Sequence, residues 1–397
     1  MGLRSTAEAT NSNGPSERGV IYGLGRHNLC FVRLGMISSG LWPEIGGVER
    51  YVWRLAVELA SLGVEVDVLT PGERTEESLV DGVRINSYAR PLDRLRDVPP
   101  PTLFWGVFRS KFDLVHGHHY HQPHVLAAAL RGSCPLVYTT HFHGEGSTRL
   151  RSLLHGLYRP LGSSLLCSAD VLIVNTPAEA RLVSDRFGSQ TDDRIIALPP
   201  GHEEFPRRPT ESLVLCVGRL VATKRVDRFV ELCAATSLPS GTRCLIIGDG
   251  PERLRLERLA RTLDAPVEFT GRVTDATLAE LIGRAKILVS FSEQESWGMA
   301  VADAAAAGVR VLASDIAAHR FVASLAENSV SVIRSNLFSE WLSVFEESLV
   351  GNPPEPVHLP SWRDVAQSHL EIYESLLNGL FVDLAALSPW GDWRQYA

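Results

Sequence analysis

The segment SFSEQESWGMAVADAAAAGVRVLASD, residues 290–315, reads as strand end, loop, helix and next strand in one stretch. A strand closes at Phe291, a loop carries Glu293 and Glu295, a helix opens near Gly298, and VRVLASD returns as a second apolar run. Two short apolar runs joined through a helix make the repeating unit of a parallel sheet covered on both faces. Asp303 lies eight residues beyond Glu295, inside the helix. Backbone N–H groups around Gly298 to Ala300 would face the crevice beyond the strand ends, where they favour negative charge. Carboxylates at this spacing are common by themselves, and it is their loop that singles them out.

The same alternation runs along most of the chain. LCFVRLGMI, VEVDVLT, FDLVHG, PLVYTTH and DVLIVN form one series of strand-like runs, and LVLCVG, TRCLIIG, VEFTG, KILVSFS and VRVLASD form another. Helical patterns such as VERYVWRLAVELASLG and PERLRLERLARTL lie between them. The series break at LPPGHEEFPRRPTES, residues 198–212, which predicts two α/β domains with doubly wound parallel sheets. An amphipathic helix, SWRDVAQSHLEIYESLL, follows with Ser361 as its N-cap.

Bulk properties agree with two ordinary globular cores: 397 residues, 45% hydrophobic and 21% charged. A net charge of −7 provides no basic field for nucleic acid. Six cysteines without a CxxC pair read as buried thiols in a reducing compartment, and no apolar run reaches a membrane-spanning length. The polar first 28 residues lack a signal-peptide core and read as a mobile leader. The expected location is cytoplasmic. Only three of the 39 basic residues are lysines (Lys111, Lys224, Lys286), a bias that suggests a GC-rich bacterial genome.

In doubly wound sheets the loops after strands carry the chemistry. After the first strand comes Gly46-Gly47, opening a helix; glycine there permits close approach to an anion or sugar, or serves only a tight turn. VGRLVATK places Gly218, Arg219 and Lys224 after the first strand of the second series. Arg219 and Lys224 are spaced to grip one diphosphate, a surface ion pair being the ordinary alternative. IIGDGPE is first of all a tight turn.

Taken together these motifs resemble GT-B glycosyltransferases of family 4, retaining enzymes that use nucleotide sugars. The likeness spans roughly residues 30 to 378 and is most specific in VGRLVATK, IIGDGPE, FTGRV and SEQESWGMAVADAAAAGV, which follow in the family's order. GGVERYV resembles the family's N-terminal glycine loop and YTTHFHG its Thr-x-His strand end. The resemblance implies two Rossmann-like domains facing each other across a cleft. Residues 29–205 would bind the acceptor and 206–360 the nucleotide sugar, with 361–397 forming a helix that crosses back to the first domain, plus a tail.

By the same resemblance, Arg219 and Lys224 would hold the diphosphate, Glu295 the sugar hydroxyls and Asp303 the ribose. Backbone of Gly298, Met299 and Ala300 would contact sugar and phosphate, and Gly271, Arg272 and Val273 would flank the base. Gly46 and Gly47 would lie near the diphosphate and acceptor, Gly218 would belong to the donor site, and His141 would sit beside the reacting sugar. The implied reaction is metal-independent transfer of a hexosyl group, with retention, from a UDP-sugar to a hydroxyl of a small molecule, lipid carrier or glycan. Bacterial secondary metabolites and envelope glycans are the expected products. No cofactor is expected, the nucleotide sugar being a co-substrate. The chain departs from the family pattern at Asp303 (usually Glu), Arg225 (usually Gly), Arg310 (usually Pro) and in the linker PPGHEEF.

Three rival readings stand beside this one. A nicotinamide enzyme lacks its G-x-G-x-x-G after the first strand. A nucleotide-sugar epimerase or phosphorylase, or a retired donor-binding subunit, keeps the fold but changes the outcome. STRLRSLLHGLYRPLGSSLLC, residues 147–167, sets arginines among leucines and is either a domain helix or a peripheral membrane contact. Last, VHGHHYHQPH, residues 115–124, reads as a wall of the sugar cleft, with structural packing or plain exposure and a metal site as the alternatives, and one or more of His116, His118 and His141 as sugar or acceptor contacts.

Overall fold

Valine- and isoleucine-rich runs with no polar face need cover on both sides, and in the computed structural model most become strands with helices above and below. The structure describes residues 32–396 except 42–45, 91–97, 121, 143–159, 204, 206–209, 327, 336, 381–382 and 389. The leader at 1–28, Cys30, His121, His143 and the first part of the arginine-rich segment lie outside the described residues.

The first sheet holds β1 (Arg33–Ile37), β2 (Glu65–Gly72), β3 (Glu76–Val80), β4 (Val83–Ala89), β5 (Leu114–His118), β6 (Leu136–Thr139), β7 (Val171–Val174) and β8 (Ile195–Ala197). Their order is β3-β4-β2-β1-β5-β6-β7-β8, parallel except for the β3–β4 hairpin. Its helices are α1 (Gly47–Ser61), α2 (Pro101–Arg109), α3 (residues 160–167) and α4 (Pro177–Phe187).

The second sheet holds β9 (Leu213–Val217), β10 (Arg243–Ile247), β11 (Val267–Gly271), β12 (Ile287–Ser290), β13 (Arg310–Ser314) and β14 (Val330–Ile333). It is parallel throughout, in the order β11-β10-β9-β12-β13-β14. Around it lie α5 (Val226–Ala235), α6 (Arg253–Thr262), α7 (Asp275–Arg284), α8 (Met299–Ala306), α9 (Ala317–Leu325) and α10 (Phe338–Val350). Helices α11 (Trp362–Leu377) and α12 (Leu384–Leu387) follow, and a short 3-10 turn (Trp393–Tyr396) ends the described chain.

Strand order reverses between β1 and β5 in one sheet and between β9 and β12 in the other. At such reversals the flanking loops diverge and open a crevice beyond the strand ends. Gly46-Gly47 and the end of β5 at His118 belong to the first crevice, and Arg219, Lys224 and Glu295 to the second.

The β3–β4 hairpin leaves no mark in the pattern of apolar runs. Its strand β3, EESLV, is exposed along its whole length, Leu79 and Val80 included, and has no buried face. The Asp81-Gly82 turn, with φ of 48° and 80°, supplies the twist a tight hairpin needs.

Ser361 caps α11 as expected, its hydroxyl accepting from Asp364 N at 3.2 Å while the Asp364 carboxylate accepts from Ser361 N at 2.8 Å. The helix buries Trp362, Val365, Ala366, Ile372 and Tyr373 against Tyr51, Val52, Leu55 and Leu59 of α1, in the core of the first sheet. Each large apolar side chain so buried contributes about 1.5–3 kcal/mol, which ties the C-terminal helix to the first domain. Cys134, Cys167, Cys216, Cys233 and Cys244 are free thiols. Among the described residues no helix is long and apolar enough to cross a membrane.

Candidate active site

The loops after β9 and β12 bring Lys224 and Glu295 together. The ammonium donates directly to Glu295 Oε1, both side chains being about one-fifth exposed. Burial works to raise the Glu295 carboxyl, but the Lys224 charge and hydrogen bond outweigh it and hold its pKa below the usual value. Glu295 is therefore ionised at neutral pH. Arg219 is exposed at the mouth of the same loop.

Arg225, where the resemblance led one to expect glycine, does adopt a left-handed conformation (φ 47°, ψ 41°) as the N-cap of α5. An L side chain in that region costs about 1–2 kcal/mol. Here the guanidinium is anchored to Glu293 Oε1 at 2.7 Å and Asp227 Oδ1 at 3.4 Å.

Gly298, also left-handed (φ 88°, ψ 55°), starts α8 and turns its first N–H groups outward ahead of the helical ladder. Met299 and Ala300 are half-buried there. A Cβ on Gly47 would stand 3.0 Å from Met299 Cε, so the N-terminus of α1 meets the N-terminus of α8 across the two domains. Two helix starts converging on one spot favour an anion. A Cβ on Gly46 would collide with the Glu49 carboxylate at 2.1 Å.

The remaining glycine motif is structural. Cβ atoms on Gly248 and Gly250 would fall 2.0 Å from the Gly218 carbonyl oxygen and 2.3 Å from that of Leu220. IIGDG is thus the close approach on which the Gly218–Arg219 loop rests. Gly271 ends β11 in a left-handed turn (φ 71°) and its carbonyl accepts from Gly248 N at 2.8 Å. Arg272 is exposed and Val273 half-buried beside it.

In the first domain His141 follows β6 in a left-handed conformation (φ 45°), and Asn175 Nδ2 lies 3.3 Å from its Nδ1. Glu179, buried at the start of α4, holds this turn: it accepts from Thr140 Oγ1, Phe142 N and Asn175 N. Burial pushes the Glu179 carboxyl up to about 7, against those three donors. His118 closes β5, 1% exposed, with neither ring nitrogen hydrogen-bonded among the described residues. Its ring centroid lies 6.0 Å from that of His141.

His116 corrects the expectation of a sugar contact. It is fully buried, and both ring nitrogens are engaged: Nδ1 with the Tyr373 hydroxyl and Nε2 with Thr139 Oγ1, each at 2.7 Å. It serves the seating of α11. Nearby His369 donates from Nδ1 to the Val365 carbonyl at 2.7 Å and accepts from the Tyr51 hydroxyl at 3.1 Å. Among the described residues no group of three His, Cys, Asp or Glu is placed to hold a metal ion.

Asp303 also departs from expectation. Its carboxylate is 3% exposed and bound to Arg50 of α1, Nη1 to Oδ2, at 3.2 Å. Arg50 further meets Glu203 at 3.1 Å and Asp275 at 3.8 Å, and Arg54 meets Glu203 at 2.8 Å. Burial raises the Asp303 carboxyl to about 6, Arg50 pulling it back down. The group expected at the ribose is thus committed to a bond between domains. Arg50, Glu179 and His319 are among the polar residues that the motifs did not single out.

Residues 45–203 match the model described as Glycosyltransferase Family 4, and residues 201–336 match Glycosyl transferases group 1. The chain is 27% identical to a D-inositol 3-phosphate glycosyltransferase of Gordonia bronchialis, over 83% of this chain and 81% of that protein. It is 29% identical to the enzyme of that name from Acidothermus cellulolyticus, over 69% and 71%. Among solved structures, sucrose-phosphate synthase from Thermosynechococcus elongatus superposes with a TM-score of 0.69 at 18% identity, covering 88% of this chain and 100% of that one. HepE of Anabaena in complex with UDP-glucose gives 0.60 at 15% identity, over 87% and 98%. The chain belongs to the group 1, family 4 glycosyltransferases and carries their GT-B fold.

Proposed function

We propose that the enzyme moves a hexosyl group from a UDP-sugar to an acceptor hydroxyl, with retention and without a metal ion. Support comes chiefly from one observation: the Lys224–Glu295 pair sits where the strand order reverses, on the loop that leads into the helix start facing that of α1. The choice of UDP is suggested by HepE, described with UDP-glucose. Residues 206–360 take the donor and 29–205 the acceptor, with the reaction in the cytoplasm or at the inner membrane face.

As the glycosyl–phosphate bond breaks, its electron pair passes to the diphosphate, where Lys224, Arg219 and the α8 N-terminus stabilise the charge. The acceptor oxygen approaches the same face of the sugar and its proton passes to the departing phosphate. Glu295 accepts from sugar hydroxyls, and His141 stands on the opposite wall. The relatives' name makes D-inositol 3-phosphate the first acceptor to try. Incubation with UDP-glucose, UDP-galactose and UDP-N-acetylglucosamine, each with and without that acceptor, tests the assignment. An α-linked product from an α-linked donor is expected; donor turnover without acceptor points to an epimerase, and binding without turnover to a retired subunit.

A further inference from the structure

We infer that His319 contacts the transferred sugar, accepting a hydrogen bond from one of its hydroxyls through Nε2; the inference rests on the donor site proposed for the loops after β9 and β12. His319 lies in the first turn of α9 and is fully buried. Its Nδ1 is 2.9 Å from the Ser314 carbonyl oxygen, which can only accept, so Nδ1 carries the proton and Nε2 the lone pair. The Ser314 hydroxyl in turn donates to the Ser292 carbonyl, which fixes the end of β13 to the loop that carries Glu295. Ring orientation and tautomer are both set by the fold.

Nε2 has no hydrogen-bond partner among the described residues. Buried acceptors are rarely left so, which makes this one a place to look for a ligand. A Cβ on Gly298 would lie 3.2 Å from His319 Cδ2 and 3.4 Å from Nε2, so that edge of the ring borders the glycine ahead of α8. The charges of Glu295 and Lys224 both act on the ring. Burial lowers its pKa, Lys224 adds to that, and Glu295 opposes. A neutral ring presenting a lone pair repels phosphate oxygens and suits a hydroxyl. Beside Glu295, itself an acceptor, the group it selects is a second sugar hydroxyl.

The test is calorimetric binding of UDP-glucose, UDP-galactose, UDP-N-acetylglucosamine and UDP to the full chain and to two variants. His319→Phe keeps the ring volume without an acceptor, and His319→Gln can donate to Ser314 while offering an oxygen. The expected result is a loss of about 10- to 100-fold for the preferred UDP-sugar in the Phe variant, a smaller loss in Gln, and UDP affinity within about twofold throughout. Unchanged UDP-sugar affinity, or an equal loss for UDP, overturns the inference. Should the wild-type chain bind neither UDP nor any of the sugars, the donor-site assignment fails and takes this one with it. Spectra of 15N-histidine-labelled wild-type protein give an answer that needs no stable Phe variant: the unprotonated Nε2 signal absent from the Gln variant should move with UDP-sugar and stay with UDP. A signal that UDP-sugar leaves in place overturns the inference.

Discussion

Arg50 Nη1 lies 3.2 Å from Asp303 Oδ2, and this buried contact joins the first helix of one domain to the helix that follows the Glu295 loop in the other. Arg50→Ala leaves Asp303, and in part Glu203 and Asp275, without their counter-charge. Removal of one partner from such a pair costs about 3–5 kcal/mol. The variant should melt well below wild type in a thermal denaturation scan, and an equal melting temperature would show that the network carries no stability.

Asp303 should also give stability a pH dependence of definite sign. Its folded pKa of about 6 exceeds its ordinary value of 3.8, so between these the folded chain binds more protons than the unfolded one. Wild-type stability should therefore fall, relative to Asp303→Asn, as pH rises through that window. Denaturant titrations should show the variant gaining on the order of 2 kcal/mol on wild type between about pH 4 and about pH 7. A difference that does not change with pH would contradict it.

Lys224→Ala should lower turnover at saturating donor by about 10²- to 10³-fold, the usual cost of removing one fixed group from a leaving-group site. Both partners are about four-fifths buried, so loss of Lys224 leaves the Glu295 carboxylate without its counter-charge and should also lower stability by about 1–3 kcal/mol, read from a melting scan beside turnover. Near-wild-type turnover would remove Lys224 from the proposed mechanism.

Tyr373→Phe withdraws the hydroxyl from His116 Nδ1 in a fully buried setting. A loss of about 1–2 kcal/mol with unchanged turnover is expected if His116 is structural. Reduced turnover at unchanged stability would return His116 to the sugar cleft.

Glu179→Ala frees three buried donors around the His141 turn. Both stability and turnover should fall, turnover by about tenfold or more, because His141 is held in a left-handed conformation that a relaxed loop would abandon. Turnover equal to wild type would show that the placement of His141 does not depend on this carboxylate.

Much of the fold was legible because buried parallel strands leave apolar runs and their loops leave glycines. KILVSFS, LVLCVG and the Gly298 helix start fell where periodicity placed them. The β3 strand was not legible, since an exposed edge strand needs no apolar face. The histidine tract misled because composition counts imidazoles without saying which way they point. Strand periodicity puts His116 and His118 on one face, their ring centroids 4.0 Å apart, and only the packing of α11 shows that this face is interior. Asp303 was found as a carboxylate but not as the partner of Arg50, 253 positions away, because a contact between domains has no periodic signature. His319 was missed although it follows a strand end, for want of any motif around it.

In the proposed function the second domain binds a nucleotide-diphosphate sugar through Lys224 and Glu295. Calorimetric titration of wild type, Lys224→Ala and Glu295→Gln with UDP-glucose, UDP-galactose, UDP-N-acetylglucosamine and UDP tests it most directly. Saturable binding of at least one UDP-sugar is predicted, with UDP weakened about tenfold or more by loss of Lys224 and little by the Glu295 change, which should act on the sugar alone. No binding of any of these ligands by the wild-type chain, or equal affinities in all three proteins, would contradict it.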